Sequence, residues 1–183
     1  MIAATSPSAW ASIRLRRPRP LRRRHLRRSP FTRTSSSEID PMKASARNFF
    51  EGTVAAIRDG SINDEIEIET ASGLRVVATV TRESRNELGL KLGRSAFALV
   101  KAPSVVLLTD VGNARFSARN QFQGRVRSVA TGAVNSEVVL ELPGGQALVA
   151  VVTNDSATGL ALTAGAEATA IFKASSVIVG VND

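Results

Sequence analysis

Two tetrapeptides recur in this chain. Ser45-Ala46-Arg47-Asn48 returns as Ser117-Ala118-Arg119-Asn120, and Lys101-Ala102-Pro103-Ser104 returns as Lys173-Ala174-Ser175-Ser176. Hydroxyl, guanidinium, carboxamide and ammonium groups, together with the intervening backbone N–H groups, are hydrogen-bond donors. Such a set suits an oxyanion, whose oxygens accept from several donors at once. Either motif by itself could be a helix cap or a solvated turn, but both recur at one offset, and a duplicated fold keeps core positions more readily than polar surface ones. A third pair, Thr81 with Ser84 and Thr153 with Ser156, adds hydroxyls. Capping of a short helical turn accounts for these four residues nearly as well.

The rest of the composition removes other chemistries. Cysteine is absent and the single histidine is His25, so the repeated region has no thiolate nucleophile, no Cys or His zinc site and no Ser-His-Asp arrangement. No acid-base constellation suggests an enzyme, and no direct ligands for a metal cation are expected. With one Trp, no Tyr and seven Phe, the chain lacks the stacking platforms of single-stranded nucleic-acid binders. It also lacks a Walker loop and a helix-turn-helix segment.

The formal charge of +8 is carried entirely by residues 1–41, which hold ten arginines against Glu38 and Asp40, so residues 42–183 are formally neutral. This segment, "RLRRPRPLRRRHLRRSP" at its centre, is expected to be disordered because like charges and prolines oppose packing. The preferred reading is an extension upstream of a start at Met42, set against a targeting segment and an arginine arm for nucleic acid. Any nucleic-acid contact would then belong to the tail. No apolar run reaches the ~20 residues of a membrane span.

The elements that must position the tetrapeptides follow from the duplication. At an offset of 72 residues Gly52 aligns with Gly124, Gly60 with Gly132, Glu65 with Glu137, Gly73 with Gly145 and Gly93 with Gly165, without a gap. About two in five aligned positions are identical. In the first copy, alternating or β-rich runs at 52–57, 65–70, 74–80, 95–101 and 104–108 predict five short strands, with turns at "DGSIND" and "ASG". Thr81 is the expected cap of a helical turn after the third strand. The reading is all-β, with one short helical turn per repeat and two tandem five-stranded OB-like small barrels. The repeats are placed at 42–110 and 117–183, with a linker at 111–116. A unit of about 65 residues is marginal alone, so pairing of the repeats and homo-oligomerisation are expected. SARN falls just before the first strand, and Lys-Ala-x-Ser joins strands four and five, expected at the opposite end of the unit.

The segments "MKASARNFFEGTV", "VTRESRNELGLKLG" and "LVKAPSVVLL", with "SARNQFQGRV", "VTNDSATGLALTAG" and "IFKASSVIVGV", resemble the molybdate-binding Mop (TOBE) domains, here in a tandem di-Mop arrangement covering residues 42–183. The resemblance implies a trimer of two-barrel chains, six barrels in a ring, that stores or buffers molybdate or tungstate in the cytoplasm. It implies that the anion is held between barrels. Ser45, Ala46, Arg47, Asn48, Ser117, Ala118, Arg119 and Asn120 would supply one half of each site. Lys101, Ala102, Ser104, Lys173, Ala174, Ser175 and Ser176 from a different barrel would supply the other. Arg47 and Arg119 would also fix neighbouring barrels, and Thr81, Ser84, Thr153 and Ser156 are the weaker candidates. Two departures make the repeats unequal: Phe49 stands where the second copy has Gln121, and Pro103 where it has Ser175. Two other readings remain beside this one: an OB-like nucleic-acid module using the Arg-rich tail, and a ligand-sensing regulatory module.

Overall fold

Side-chain alternation sets each strand. In Asn63–Thr70 (β2) the residues Asp64, Ile66, Ile68 and Thr70 turn inward, while Glu65, Glu67 and Glu69 lie between them on the other face. A computed structural model describes residues 44–182, all within the unit Met42–Asp183; the expectations for residues 1–41 lie outside the described residues. The first repeat runs Asn48–Arg58 (β1), β2, Arg75–Thr81 (β3), Arg82–Glu87 (α1), Ser95–Val100 (β4) and Val106–Leu108 (β5). The second repeats it as Asn120–Thr131 (β6), Asn135–Glu141 (β7), Ala147–Thr153 (β8), Asn154–Gly159 (α2), Glu167–Phe172 (β9) and Val177–Gly180 (β10). One-turn 3-10 segments, Ala102–Ser104 and Ala174–Ser176, precede the fifth strands. The all-β reading with one short helix per repeat is what the chain adopts.

The fifth strands exchange. The first sheet is ordered β10-β4-β1-β2-β3 and the second β5-β9-β6-β7-β8, so each repeat completes the other's sheet. The sequence division at 110 and 117 follows the duplication, whereas the sheets do not: Val106 pairs with Ile171, and Val177 with Val100. Periodicity cannot reveal this, because a three- or four-residue strand carries the same pattern whichever sheet receives it. Phe50, Ile66, Ile68, Val76, Val138, Leu140, Leu148 and Phe172 belong to one continuous core spanning both repeats. No helix among the described residues is long and apolar enough to cross a membrane.

Long strand β1 serves two neighbours. Its first half pairs with β4, its second half with β2, and Gly52 pairs with Ala96 on one side and Thr70 on the other. A register shift between Val54 and Ala56 then bends the strand, and β6 does the same between Val126 and Ser128.

The turn between β1 and β2 is fastened differently in the two repeats. Asp64 is fully buried, accepts the Gly60 N–H at 3.0 Å and pairs with Arg85 at 2.9 Å; Arg85 also binds Asp59. The second repeat replaces this with neutral contacts, Ser136 Oγ donating to Asn154 Oδ1 at 2.8 Å and Asn154 Nδ2 to the Gly132 carbonyl at 2.9 Å. The Gly60 N–H, and after it the Arg85 guanidinium, hold the Asp64 carboxyl below its ordinary value of 3.8. A carboxyl with a lowered folded value binds its proton more readily when unfolded, so its stabilising effect is full above about pH 4 and is lost as pH falls through the folded value. Asp64→Asn is therefore expected to destabilise at neutral pH and to flatten the acid limb of stability. Urea midpoints at pH 7, 5, 4 and 3 check this, and an unchanged slope between pH 4 and 3 would discount the contact.

Candidate oxyanion site

SARN enters the sheet at the start of β1 and of β6, and the Lys-Ala-x-Ser turn leaves it at the end of β4 and of β9. Antiparallel pairing sets Asn48 opposite Val100 and Asn120 opposite Phe172. The two motifs of one repeat therefore emerge from the same sheet end on adjacent strands. This corrects the expectation that they lie at opposite ends of the unit: β1 and β4 run antiparallel, so the beginning of one meets the end of the other.

The asparagines do not face outward. Asn48 is buried, and its Nδ2 donates to the carbonyls of Val100 at 3.2 Å and Val149 at 2.9 Å while its Oδ1 accepts the Val149 N–H at 2.7 Å. Asn120 repeats this on the other side, exchanging 2.8 Å bonds with both the N–H and the carbonyl of Val77. Val149 lies on β8 and Val77 on β3, the edge strands of the opposite sheets. Each carboxamide imitates a peptide group and satisfies edge-strand backbone that no neighbour strand reaches. The side chains of Asn48 and Asn120 thus clamp each repeat to the edge strand of the opposite sheet.

The arginines bridge the repeats at the surface. Arg119 reaches Glu65 at 2.7 Å and Arg47 approaches Glu137 at 3.8 Å. Glu65 and Glu137 are symmetry-related participants that the sequence reading used only as register marks; their shared offset with the arginines was the available signal. Both pairs are solvent-exposed, so each contributes at most about 1 kcal/mol, far less than a buried amide clamp.

Near these groups the 3-10 turns bond internally, Ser104 N–H to the Lys101 carbonyl at 2.9 Å and Ser176 N–H to the Lys173 carbonyl at 3.0 Å. The backbone N–H groups of Ser104 and Ser176 are therefore occupied; of the residues between them and the lysines, Ala102 and Ala174 are buried and Ser175 is exposed. Among the described residues no carboxylate pairs with Lys101 or Lys173. The exposed Ser45, Ser117 and Ser175 and the half-buried Ser104 and Ser176 likewise have no side-chain hydrogen bond there. The first-repeat end thus offers Lys101 and two uncommitted hydroxyls, and the second-repeat end Lys173 and three. Thr81 and Thr153 cap α1 and α2: each Oγ1 accepts an N–H, from Ser84 or Ser156, at 3.1 Å and bonds the same serine's hydroxyl. Among the described residues no group of three or more His, Cys, Asp or Glu is placed to hold a metal ion.

Two clefts, of about 810 and 440 Å³, lie along β6 and β9 and are lined by residues such as Arg125, Glu167, Gln123 and Pro143. Neither includes a serine of SARN or a lysine of Lys-Ala-x-Ser. At the sheet ends Lys101, Lys173, Ser45, Ser117 and Ser175 are exposed, while Ser104 and Ser176 are half-buried.

Comparison with known proteins gives a consistent picture. The TOBE domain model matches twice, at residues 44–107 and 117–179. The chain is 46% identical over 140 residues to the molybdenum transport protein ModE of Herbaspirillum seropedicae, covering 76% of this chain and 52% of that protein. It is 39% identical over 140 residues to the molybdenum-pterin-binding protein MopA of Rhodobacter capsulatus, covering 76% and 53%. The chain spans about half the length of these curated relatives. Among solved structures, the cytoplasmic molybdate-binding protein ModG with molybdate bound is 47% identical with a TM-score of 0.75, over 77% of this chain and 100% of ModG.

Proposed function

We propose, from the premise that this chain belongs to the TOBE-domain family and carries the domain twice, that it binds molybdate or tungstate and stores or buffers the anion inside the cell. The observation that carries this reading is the meeting of SARN and Lys-Ala-x-Ser at one end of each sheet, in a chain whose fold and sequence follow ModG over its full length. Ser45, Ser104, Ser117, Ser175 and Ser176 donate hydroxyl hydrogen bonds, Lys101 and Lys173 supply charge, and the N–H groups of Ala102, Ala174 and Ser175 add neutral donors. Arg47 and Arg119 exchange part of their pairing with Glu137 and Glu65 for the anion.

A tetrahedral dianion can be held by many donors with little net positive charge, in keeping with a neutral 42–183 segment. The open donors are completed by another copy of the chain, in a trimer that arranges six barrels in a ring. Anion binding and assembly are then linked, since ligand stabilises whichever state contains the intact site. The anion is bound and released unchanged.

Calorimetric titration of the full chain with molybdate, tungstate, sulfate and phosphate is expected to show preference for the two larger oxyanions. Arg119→Ala and Lys173→Ala should each weaken molybdate binding by about tenfold or more and lower the oligomer's resistance to dilution, charge-assisted bonds being worth roughly 1.5–3 kcal/mol. Unchanged affinity in both variants, or equal affinity for all four anions, removes the reading.

A further inference from the structure

The two sheet ends are not equivalent. In the second repeat Gln121, the residue after SARN, turns back on the loop: its Nε2 donates to the Ala118 carbonyl at 2.8 Å and lies 3.5 Å from the Phe116 carbonyl. The loop is drawn down, and Ala118 is 9% exposed while its counterpart Ala46 is only half-buried. The first repeat has Phe49 at that position. A phenyl ring has no donor, and Phe49 instead stacks on Phe97 with ring centroids 5.3 Å apart, leaving the Ser45–Ala46 backbone without this brace. The adjoining turn differs in the same sense. Pro103 has neither the N–H nor the hydroxyl of Ser175. Because SARN and Lys-Ala-x-Ser of one repeat share a sheet end, both deficits fall on the end formed by Asn48 and Val100, and both donors fall on the end formed by Asn120 and Phe172.

Resting on the molybdate reading above, we propose that the chain carries two classes of anion site of different affinity, and that Gln121 is the positioning residue that makes the second-repeat class the tighter one. Gln121 acts through Ala118: a loop already fixed in its bound geometry loses less freedom when the anion orders it. The first-repeat class fills only at higher anion concentration, so one chain covers a wider range of concentrations than two identical sites could.

The test is calorimetric titration of the full chain with molybdate. Wild type should show two classes separated by about tenfold or more. Gln121→Leu, which keeps the bulk and removes the donor, should weaken the tight class by about five- to tenfold and spare the weak one. The reciprocal Phe49→Gln should strengthen the weak class, a gain that damage to the fold cannot produce. One class of uniform affinity, or a Phe49→Gln protein with no gain, overturns the inference while leaving the molybdate reading intact. No binding of molybdate at all overturns both.

Discussion

Asn120→Ala is expected to destabilise the folded chain by about 3 kcal/mol, because it removes two buried hydrogen bonds and leaves the Val77 N–H and carbonyl without partners. Asn48→Ala should do the same to Val149. Arg47→Ala and Arg119→Ala, which break only exposed ion pairs, should cost under about 1 kcal/mol each. The contrast is the informative part. If the exposed arginine pairs, rather than the asparagines, fixed the two repeats to one another, the order would reverse. Urea unfolding of the four variants decides between them, and an asparagine effect below that of the matching arginine would remove the clamp from the account. Asn48 and Asn120 join different strand pairs of one inter-repeat contact. The double variant is therefore expected to depart from the sum of the single ones, a coupling read directly from a mutant cycle.

The second large effect is expected at Gly52. A Cβ there would stand 2.1 Å from the Glu69 carbonyl oxygen, which belongs to the paired strand backbone and cannot rotate away. Gly52→Ala should therefore force β1 and β2 apart and destabilise by about 3 kcal/mol, the upper range for overpacking. The equivalent Gly124 is less constrained: the nearest atoms are the Glu141 carbonyl oxygen at 2.6 Å and a methyl of Leu142 at 3.0 Å, and the methyl lies on a side chain able to move. Gly124→Ala should cost measurably less. Equal and small losses at both positions would mean that the strand crossing is looser than these distances require. The same two glycines are the sharpest marks of the duplication, and the close approach is the physical reason a glycine stands in each copy.

The relation between sequence and structure varies along the chain. Alternation in "EIEIET" was enough for β2, since every second side chain must leave water. Thr81 and Thr153 were legible as caps, because a cap is a local arrangement of a hydroxyl and an N–H three residues on. The donor character of SARN and Lys-Ala-x-Ser was legible as chemistry. Which of those donors are free was not. The asparagine of SARN looks like any exposed amide in sequence, and only its placement against the opposite sheet's edge strand shows it to be buried and engaged.

By itself the sequence determined the duplication, the strand count, the neutral folded region and the two donor motifs, all of which depend on residue type and short-range spacing. The tertiary structure decided which strands share a sheet, which sheet end each motif occupies and which donors remain open. These depend on pairings over long separations, such as Asn48 with Val149 and Val177 with Val100, whose strength lies in edge-strand backbone groups common to every residue. A backbone N–H carries no signature in sequence, so the exchange of fifth strands and the asparagine clamps that fasten it could be seen only once the chain had folded.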